Sequence, residues 1–255
     1  MKLDFAEKSA EKKAGQNATS VGKDMNFAAA EAFKLLRTNL NFSLPDEKKC
    51  RIVAITGAQQ GVGKSLVALN LAYSTSQAEK RVLLIEADLR MPSISRKTGL
   101  KPTPGLSNLL AGANDLTSCV QHYVKNLDVI TSGDIPPNPS ELLGSHRMQE
   151  LMAEFSGQYD EIIVDLPPMT IVSDSLVISD FVHGYIVVVR ENEDEKASFN
   201  EMMRQFEVAK VKVLGFVYNC AENSGKKYGK KKYRHYKNGY YNYDGYYGSS
   251  DPSKQ

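Results

Sequence analysis

The sequence predicts an α/β fold with a doubly wound, mostly parallel sheet. Short runs rich in Val, Ile and Leu alternate along the chain with stretches of helical periodicity. The apolar runs contain few polar residues, as expected of strands that helices cover on both faces. The 255 residues are enough for one large domain with a substantial core and additional tails.

The predicted elements follow one another in a regular order. Six apolar runs indicate strands, at residues 51–56, 81–87, 127–133, 160–166, 184–190 and 211–219. Strong helix formers with helical spacing indicate the longer helices, which run from Asn26 to before Pro45, over 64–76, over 140–155 with Ser140 as N-cap, and over 195–210. Two shorter helices are predicted within residues 105–112 and 116–124.

The two ends of the chain differ from this central region. Residues 1–24 are polar, and we expect a flexible segment there. Residues 225–255 lack aliphatic side chains and carry a net charge of +6, whereas residues 1–224 carry −4. A segment that buries so little apolar surface does not offset the entropy of ordering it. The sequence therefore predicts a domain over 25–224 and a disordered, basic tail over 225–255.

Tyrosine is concentrated in that tail. Eight of the thirteen tyrosines of the chain lie there, alternating in part with Gly, Asn and Asp. They are Tyr228, Tyr233, Tyr236, Tyr240, Tyr241, Tyr243, Tyr246 and Tyr247. Gly, Asn and Asp favour turns and flexible chain, so these rings are predicted to lie outside any core.

Other features of the composition indicate the compartment. The N-terminal stretch has no apolar segment typical of a signal peptide, and no apolar run is long enough to span a membrane. The three cysteines, Cys50, Cys119 and Cys220, are far apart and odd in number, which suits a reducing compartment. We therefore expect a cytoplasmic protein.

A phosphate-binding motif follows the first predicted strand. Residues 58–65 read AQQGVGKS and match the P-loop pattern, with Ala58 where Gly is usual. The glycines allow backbone N–H groups to converge on phosphate oxygens at the start of a helix. Lys64 is expected to reach the β- and γ-phosphates, and the hydroxyl of Ser65 to bind Mg²⁺. The predicted fold is thus of the P-loop NTPase type, and its nucleotide-binding residues are Gln60, Gly61, Val62, Gly63, Lys64, Ser65 and Leu66.

Acidic residues follow two other predicted strands. Glu86 and Asp88 end the second strand together with Arg90, and Asp165 ends a later strand at the position of a Walker-B metal ligand. Ligands of open α/β sheets bind at the carboxyl ends of the strands. A single acid there is often a cap or a solvated turn residue, but three such acids beside a P-loop favour metal and base roles.

Together these motifs resemble those of the bacterial tyrosine kinases, and in particular the stand-alone cytoplasmic kinases of Gram-positive capsular and exopolysaccharide operons. That family's Asp-x-Asp-x-Arg motif is matched by Glu86, Asp88 and Arg90, with Glu in place of the first Asp. The stretch PPNPSELL at 136–143 is also similar to the family's. Gln59 occupies the slot in which partitioning and related ATPases carry a signature lysine, which counts against those branches.

The resemblance implies roles for individual residues. It implies catalytic roles for Lys64, Glu86, Asp88 and Arg90, with Glu86 as the proton acceptor by its position in the motif and Asp88 as the alternative. It also implies that Ser65, Asp88 and Asp165 hold Mg²⁺.

Three further implications concern other parts of the chain. Asn219, after the last strand, would contact adenine, the alternative being a turn residue. Glu31, Lys34 and Arg37 resemble an oligomerisation motif, with Lys in place of its first Arg; without the resemblance they would be a solvated helix face. The tail tyrosines would be the phosphoacceptors.

The implied activity is ATP- and Mg²⁺-dependent phosphorylation of tyrosines, including those of the protein's own tail, between neighbouring subunits of a homo-oligomeric ring. The resemblance also implies a membrane adaptor that recruits and activates the kinase, a tyrosine phosphatase, and substrates such as sugar-nucleotide dehydrogenases or glycosyltransferases. Regulation of capsular or exopolysaccharide synthesis and export would follow.

Two alternatives remain at this point. A positioning ATPase of the partitioning type would use the same P-loop without modifying tyrosine. A nucleic-acid-binding protein would use the tail, where KKYGKKKYRHYK interleaves basic and aromatic residues. The P-loop makes nucleic acid the less favoured partner.

Overall fold

The structure is a computed structural model that describes residues 21–44, 50–169, 175–190 and 196–220. All of them belong to a unit of the chain that ends at Cys220. Within these residues a single sheet contains the seven strands Arg51–Thr56 (β1), Val82–Glu86 (β2), Val120–Val124 (β3), Leu127–Ile130 (β4), Glu161–Asp165 (β5), Gly184–Arg190 (β6) and Val213–Asn219 (β7).

The order of the strands is β3-β4-β2-β5-β1-β6-β7. Every neighbouring pair is parallel except β3 and β4, which are antiparallel. Because the chain starts near the middle of the sheet and moves outward in both directions, the fold is doubly wound. The predicted α/β class with a mostly parallel sheet is confirmed.

Helices cover both faces of this sheet. In the described residues they are Phe27–Ser43 (α1), Lys64–Ser76 (α2), Ile94–Thr98 (α3), Leu106–Leu110 (α4), Leu116–Cys119 (α5), Pro139–Leu143 (α6), His146–Gln158 (α7) and Lys196–Val208 (α8), with a short 3-10 helix at Gly22–Asp24. None of these helices is long and apolar enough to cross a membrane.

The core has two halves, one on each face of the sheet. Val53 of β1 points to the half that contains Leu71 of α2, and its neighbour Ala54 points to the half that contains Phe155 of α7 and Phe206 of α8. Successive side chains of a strand alternate between the two faces. Burial on both faces explains why the strands consist of nearly continuous apolar runs.

The prediction of a helix over residues 116–124 was wrong in its second half. The helix ends at Cys119, and Val120–Val124 forms the edge strand β3. Val120 pairs with Ile130, and Gln121 with Val129, in the antiparallel ladder. Residues 120–124 form a strand because their pairing with β4 outweighs the weak helical propensity of so short a segment.

The single helix predicted over residues 140–155 is divided into two. Helix α6 begins at Pro139, before the predicted N-cap Ser140, and ends at Leu143, with Gly144 as its C-cap. Helix α7 then begins after Ser145, whose hydroxyl accepts a hydrogen bond from the backbone N–H of Met148 at 3.2 Å. Ser145 is therefore the N-cap of the longer helix, and the prediction for Ser140 was wrong.

The first helix begins where the sequence predicts. The side chain of Asn26 accepts a hydrogen bond from the N–H of Ala29, so Asn26 caps α1. Residues 21–24, which the sequence placed in the flexible segment, contact the domain. There the N–H of Gly22 donates to the buried side chain of Asn70 on α2, at 2.9 Å.

A buried ion pair joins the amino ends of the two central strands. Arg51 of β1 and Glu161 of β5 are both buried, and their side chains form a short charge-assisted hydrogen bond. The guanidinium also donates to the side chain of Asn41 on α1, at 2.7 Å. This cluster therefore connects α1 to the centre of the sheet.

We predict that Arg51→Ala lowers the free energy of unfolding by about 3–5 kcal/mol, because it leaves the Glu161 carboxylate buried without its partner. The measurement is the urea-unfolding midpoint at unchanged m value. The matched control is Arg147→Ala, which breaks an exposed pair with Glu150 at 3.3 Å and is expected to cost less than ~1 kcal/mol. Equal effects of the two substitutions would contradict the prediction.

Candidate active site

The loop between β1 and α2 has the shape of a phosphate-binding loop. Gly61 and Gly63 have φ angles of 83° and 101°, which residues with side chains rarely adopt. Gly63 is the N-cap of α2, and Lys64 is its first residue. Because the first N–H groups of a helix lack intrahelical partners, they are available to an anion.

The residues of this loop differ in exposure. Gln60 is exposed at the tip, whereas the side chain of Val62 is fully buried and anchors the loop in the core. Lys64 is also buried, and the adjacent Ser65 and Leu66 are half-buried. The predicted nucleotide-binding residues 60–66 therefore lie together at the start of α2.

The parallel register brings the predicted acidic residues to the same edge as this loop. Asp165 lies opposite Ile55 of β1 on one side and opposite Glu86 of β2 on the other. The P-loop, Asp165 and the segment with Asp88 thus leave the sheet from the three neighbouring strands β1, β5 and β2. The sequence placed these groups at strand ends, and the pairing of the strands makes them neighbours.

Asp165 is buried at the carboxyl end of β5. Its carboxylate is fully buried, and neither oxygen has a hydrogen-bond partner among the described residues. Burial raises the pKa of Asp165 to about 8, and the charges of Glu86 and Asp88 act in the same direction. Ser65 and Lys64 lie close enough to oppose that shift of the pKa. A buried carboxylate without partners is costly, so a cation beside it would be favourable.

The chemistry of this site suits Mg²⁺. No three His, Cys, Asp or Glu side chains in the described part of the chain converge to form a metal cluster of their own. Mg²⁺ typically binds one or two carboxylates together with phosphate oxygens and keeps several waters. The Ser65 hydroxyl and the unpaired carboxylate of Asp165, with Asp88 nearby, fit that requirement.

Glu86 has a different environment. It is fully buried, and one carboxylate oxygen accepts hydrogen bonds from the backbone N–H groups of Ser93 and Ile94, the latter at 2.6 Å. The other oxygen accepts from the N–H of Ser132 at 3.1 Å. Burial raises the pKa of Glu86, and these three hydrogen bonds oppose the shift. Glu86 thus connects the loop after β2 with the loop after β4.

Asp88 contacts the backbone of its own loop. One of its oxygens accepts a hydrogen bond from the N–H of Met91 at 3.0 Å. Its side chain is only slightly exposed. Arg90, two residues further along, is exposed at the edge of the site.

On the other side of the P-loop, the ends of two strands contact its backbone. Asn219 of β7 donates from Nδ2 to the carbonyl oxygen of Val62 at 2.8 Å. Arg190 of β6 donates to the carbonyl oxygen of Gly61 at 3.3 Å. Arg190 was not among the residues predicted from the sequence, although a basic residue at the end of a strand was a usable signal.

The three residues of the predicted oligomerisation motif have separate environments on α1. Glu31 and Lys34 are exposed and form an intrahelical ion pair at 2.7 Å. Arg37 points toward α2 and donates a short hydrogen bond to the carbonyl oxygen of Ser74, near the end of that helix. Arg37 therefore holds α1 against α2.

The eight predicted phosphoacceptor tyrosines lie in residues 221–255, outside the described residues.

Comparison with known proteins agrees with this geometry. The ParA family, described as "NUBPL iron-transfer P-loop NTPase", matches residues 48–246. The tyrosine-protein kinase YwqD of Bacillus subtilis is 38% identical over 213 residues, which cover 83% of this chain and 86% of that protein. Several other tyrosine-protein kinases are longer, and the match spans 28% of their length.

Solved structures share the fold. The kinase domain of the Escherichia coli tyrosine kinase ETK has a TM-score of 0.70 at 36% identity, with coverage of 78% of this chain and 80% of that domain. The septum site-determining protein MinD of Pyrococcus horikoshii, complexed with Mg-ADP, has a TM-score of 0.57 at 21% identity over 68% of this chain and 72% of that one. At that identity the likeness shows the fold alone.

The match to the ParA family over most of the chain establishes a P-loop NTPase. Tyrosine-protein kinases share more than a third of its residues over most of its length. The chain therefore belongs to the bacterial tyrosine kinases, a family built on the P-loop NTPase fold.

Proposed function

We propose that this protein transfers the γ-phosphoryl group of ATP to tyrosine hydroxyl groups, among them the eight tyrosines of its own C-terminal segment. The observation that carries the proposal is the buried, unpaired carboxylate of Asp165 beside Lys64 and Ser65 of the P-loop. A phosphate site alone would suit any nucleotide-binding protein. The addition of Asp88, in the segment that follows β2, supports transfer to an acceptor.

The transfer forms a bond between the phenol oxygen and the γ-phosphorus and breaks the bond from that phosphorus to the β–γ bridging oxygen. Lys64 and the N–H groups of the P-loop stabilise the negative charge on the phosphoryl oxygens. Mg²⁺, when bound, neutralises further charge on the phosphates. Ser65 and Asp165 are the residues that would hold it, with Asp88 acting directly or through water.

The phenol must also lose its proton, because a tyrosine hydroxyl with a pKa of ~10 is mostly protonated at neutral pH. Glu86 and Asp88 are the two candidate acceptors. The two oxygens of Glu86 are engaged by three backbone N–H groups, whereas one oxygen of Asp88 accepts a hydrogen bond from the N–H of Met91. We therefore assign the proton to Asp88, and to Glu86 the positioning of the adjoining loops.

Transfer between subunits requires an oligomer, and the exposed face of α1 supports one. Phe27, Leu35 and Phe42 are 81%, 61% and 82% exposed, and their spacing places them on the same side of the helix as Glu31 and Lys34. Large apolar side chains grouped on one helix face are typical of contact surfaces. We propose that this face forms the ring interface.

The remaining parts of the proposal follow from the family. A membrane adaptor would recruit the kinase to the inner face of the plasma membrane and activate it, and a tyrosine phosphatase would reverse the reaction. Sugar-nucleotide dehydrogenases or glycosyltransferases would be further substrates, which connects the kinase to capsular or exopolysaccharide synthesis and export.

We predict that the protein incubated with Mg·ATP, with the adaptor if required, acquires phosphate on tail tyrosines, as mapped by mass spectrometry. Lys64→Met is expected to reduce this incorporation by at least ~100-fold, because it removes the positive charge that stabilises the negatively charged phosphoryl oxygens. Lys125→Met, at an exposed lysine, is the matched control and should retain activity.

The proposal fails if no tail tyrosine is modified and Lys64→Met leaves tyrosine phosphorylation in cells unchanged. Tight, salt-dependent DNA binding that is lost on deletion of residues 225–255 would instead favour the nucleic-acid alternative.

The assignment of the two acids gives a second prediction. Asp88→Asn should lower kcat by about 10²–10⁴-fold with little change in Tm, because Asn keeps the acceptor for the Met91 N–H but takes up no proton. Glu86→Gln should lower Tm by several degrees, because its NH₂ group faces backbone N–H donors. If Glu86→Gln lost turnover at unchanged Tm and Asp88→Asn retained activity, Glu86 would be the proton acceptor and the assignment to Asp88 would be wrong.

The proposed interface gives a third prediction. Phe42→Ser should shift the protein toward monomers in light scattering, since it removes apolar area from the exposed face of α1. Val208→Ser, at a comparably exposed apolar position on α8, is the control and should leave the oligomer size unchanged. An unchanged size for both variants would exclude this face as the interface.

A further inference from the structure

We propose that Asn219 is a positioning residue of the nucleotide site, and that its amide holds the P-loop in its phosphate-binding shape. This inference rests on the proposed use of ATP. It differs from the expectation that Asn219 recognises adenine. The structure assigns the same task to Arg190, and we call these two residues the strand-end pair.

The strand-end pair occupies matching positions on neighbouring strands. Arg190 of β6 and Asn219 of β7 lie opposite each other in the parallel ladder. Their side chains donate to consecutive carbonyl groups of the P-loop, those of Gly61 at 3.3 Å and Val62 at 2.8 Å. Two donors at fixed positions of a sheet therefore act on two successive peptide groups of the loop.

This arrangement determines the direction of the loop N–H groups. The C=O and N–H of a trans peptide point in opposite directions. When the carbonyls of Gly61 and Val62 face the strand-end pair, the N–H groups of Val62 and Gly63 face away from it. Backbone N–H groups are what a P-loop presents to phosphate oxygens, so the pair orients the groups that bind the triphosphate.

Gly63 has two reasons to be glycine. Its φ angle of 101° strains any residue with a side chain. A Cβ at this position would also lie 2.1 Å from Nδ2 of Asn219. The Asn219 amide therefore approaches the loop as closely as it does because residue 63 has no side chain.

The side chain of Val62 fixes the same peptide from the other direction. It is fully buried in the half of the core that also contains Val188 of β6. With its side chain in the core and its carbonyl bound by Asn219, Val62 has little freedom to rotate. A donor that restrains a carbonyl in this way contributes equally to every ligand that the loop N–H groups bind.

Equal effects on all ligands would distinguish a positioning role of Asn219 from a role in adenine recognition. A residue that reads adenine affects ligands with that base and leaves ligands without a base unchanged. A residue that orients the P-loop affects all triphosphates alike, including inorganic tripolyphosphate. The ratio of the affinities for ATP and tripolyphosphate therefore distinguishes loop positioning from adenine recognition. A variant that is less stable but still folded at the titration temperature does not change this ratio.

The test is isothermal titration of the full chain with Mg²⁺ and ATP, GTP or inorganic tripolyphosphate. Asn219→Ala is expected to weaken binding of all three by about tenfold, the effect of one lost hydrogen bond. The ratio of the ATP and tripolyphosphate affinities should stay within about twofold of the wild-type ratio. Asn200→Ala, at an exposed asparagine of α8, is the matched control and should bind all three ligands as wild type does.

Arg190→Lys provides a second variant that keeps the positive charge while replacing the guanidinium donor. It is expected to weaken the binding of all three ligands by a few fold, in the same pattern. Circular dichroism and the Tm of each variant verify that it is folded at the titration temperature.

Weaker binding of ATP with unchanged binding of tripolyphosphate would overturn the proposal and restore adenine recognition. Unchanged binding of all three ligands by both variants would also overturn it. Failure of the wild-type chain to bind Mg·ATP would instead overturn the proposed function itself, together with this inference.

Discussion

The parallel register of β2, β5 and β1 is the constraint on which the candidate site depends. Asp165 lies between Ile55 and Glu86 in that register, so the segments that follow these three strands leave the sheet side by side. Strand β1 leads into the P-loop, β5 ends in Asp165, and β2 leads into the segment with Asp88. A different strand order would separate the phosphate-binding N–H groups from the carboxylates, and neither set could perform phosphoryl transfer alone.

The acids at this edge differ because of their surroundings. Asp165 is buried without a hydrogen bond from the described residues, a state that favours a bound cation. Glu86 is buried as deeply but is surrounded by backbone N–H donors, and this makes it a connector of two loops. Asp88 is slightly exposed and accepts a hydrogen bond from the N–H of Met91. On the opposite side of the P-loop, Arg190 and Asn219 donate hydrogen bonds to its backbone carbonyls.

Much of the fold could be predicted because burial on both faces of a parallel sheet leaves a strong pattern of continuous apolar runs. The strand at 184–190 and the helix at 64–76 have the predicted bounds. The edge strand Val120–Val124 was missed because its polar and apolar residues suit either structure, and the antiparallel partner that selects the strand is specified elsewhere in the chain. The division of residues 140–155 into two helices depended on the caps at Gly144 and Ser145.

The sequence by itself determined the α/β class, the P-loop and the acids at strand ends, because each is a local pattern with a local physical cause. The tertiary structure decided what each side chain contacts, since those partners are distant along the chain. Arg37 binds a carbonyl of α2, Glu86 binds the amides of two loops, and Asn219 binds the carbonyl of Val62. Spacing indicates which residues share a face or an edge, but only the packed chain determines which hydrogen bonds they make.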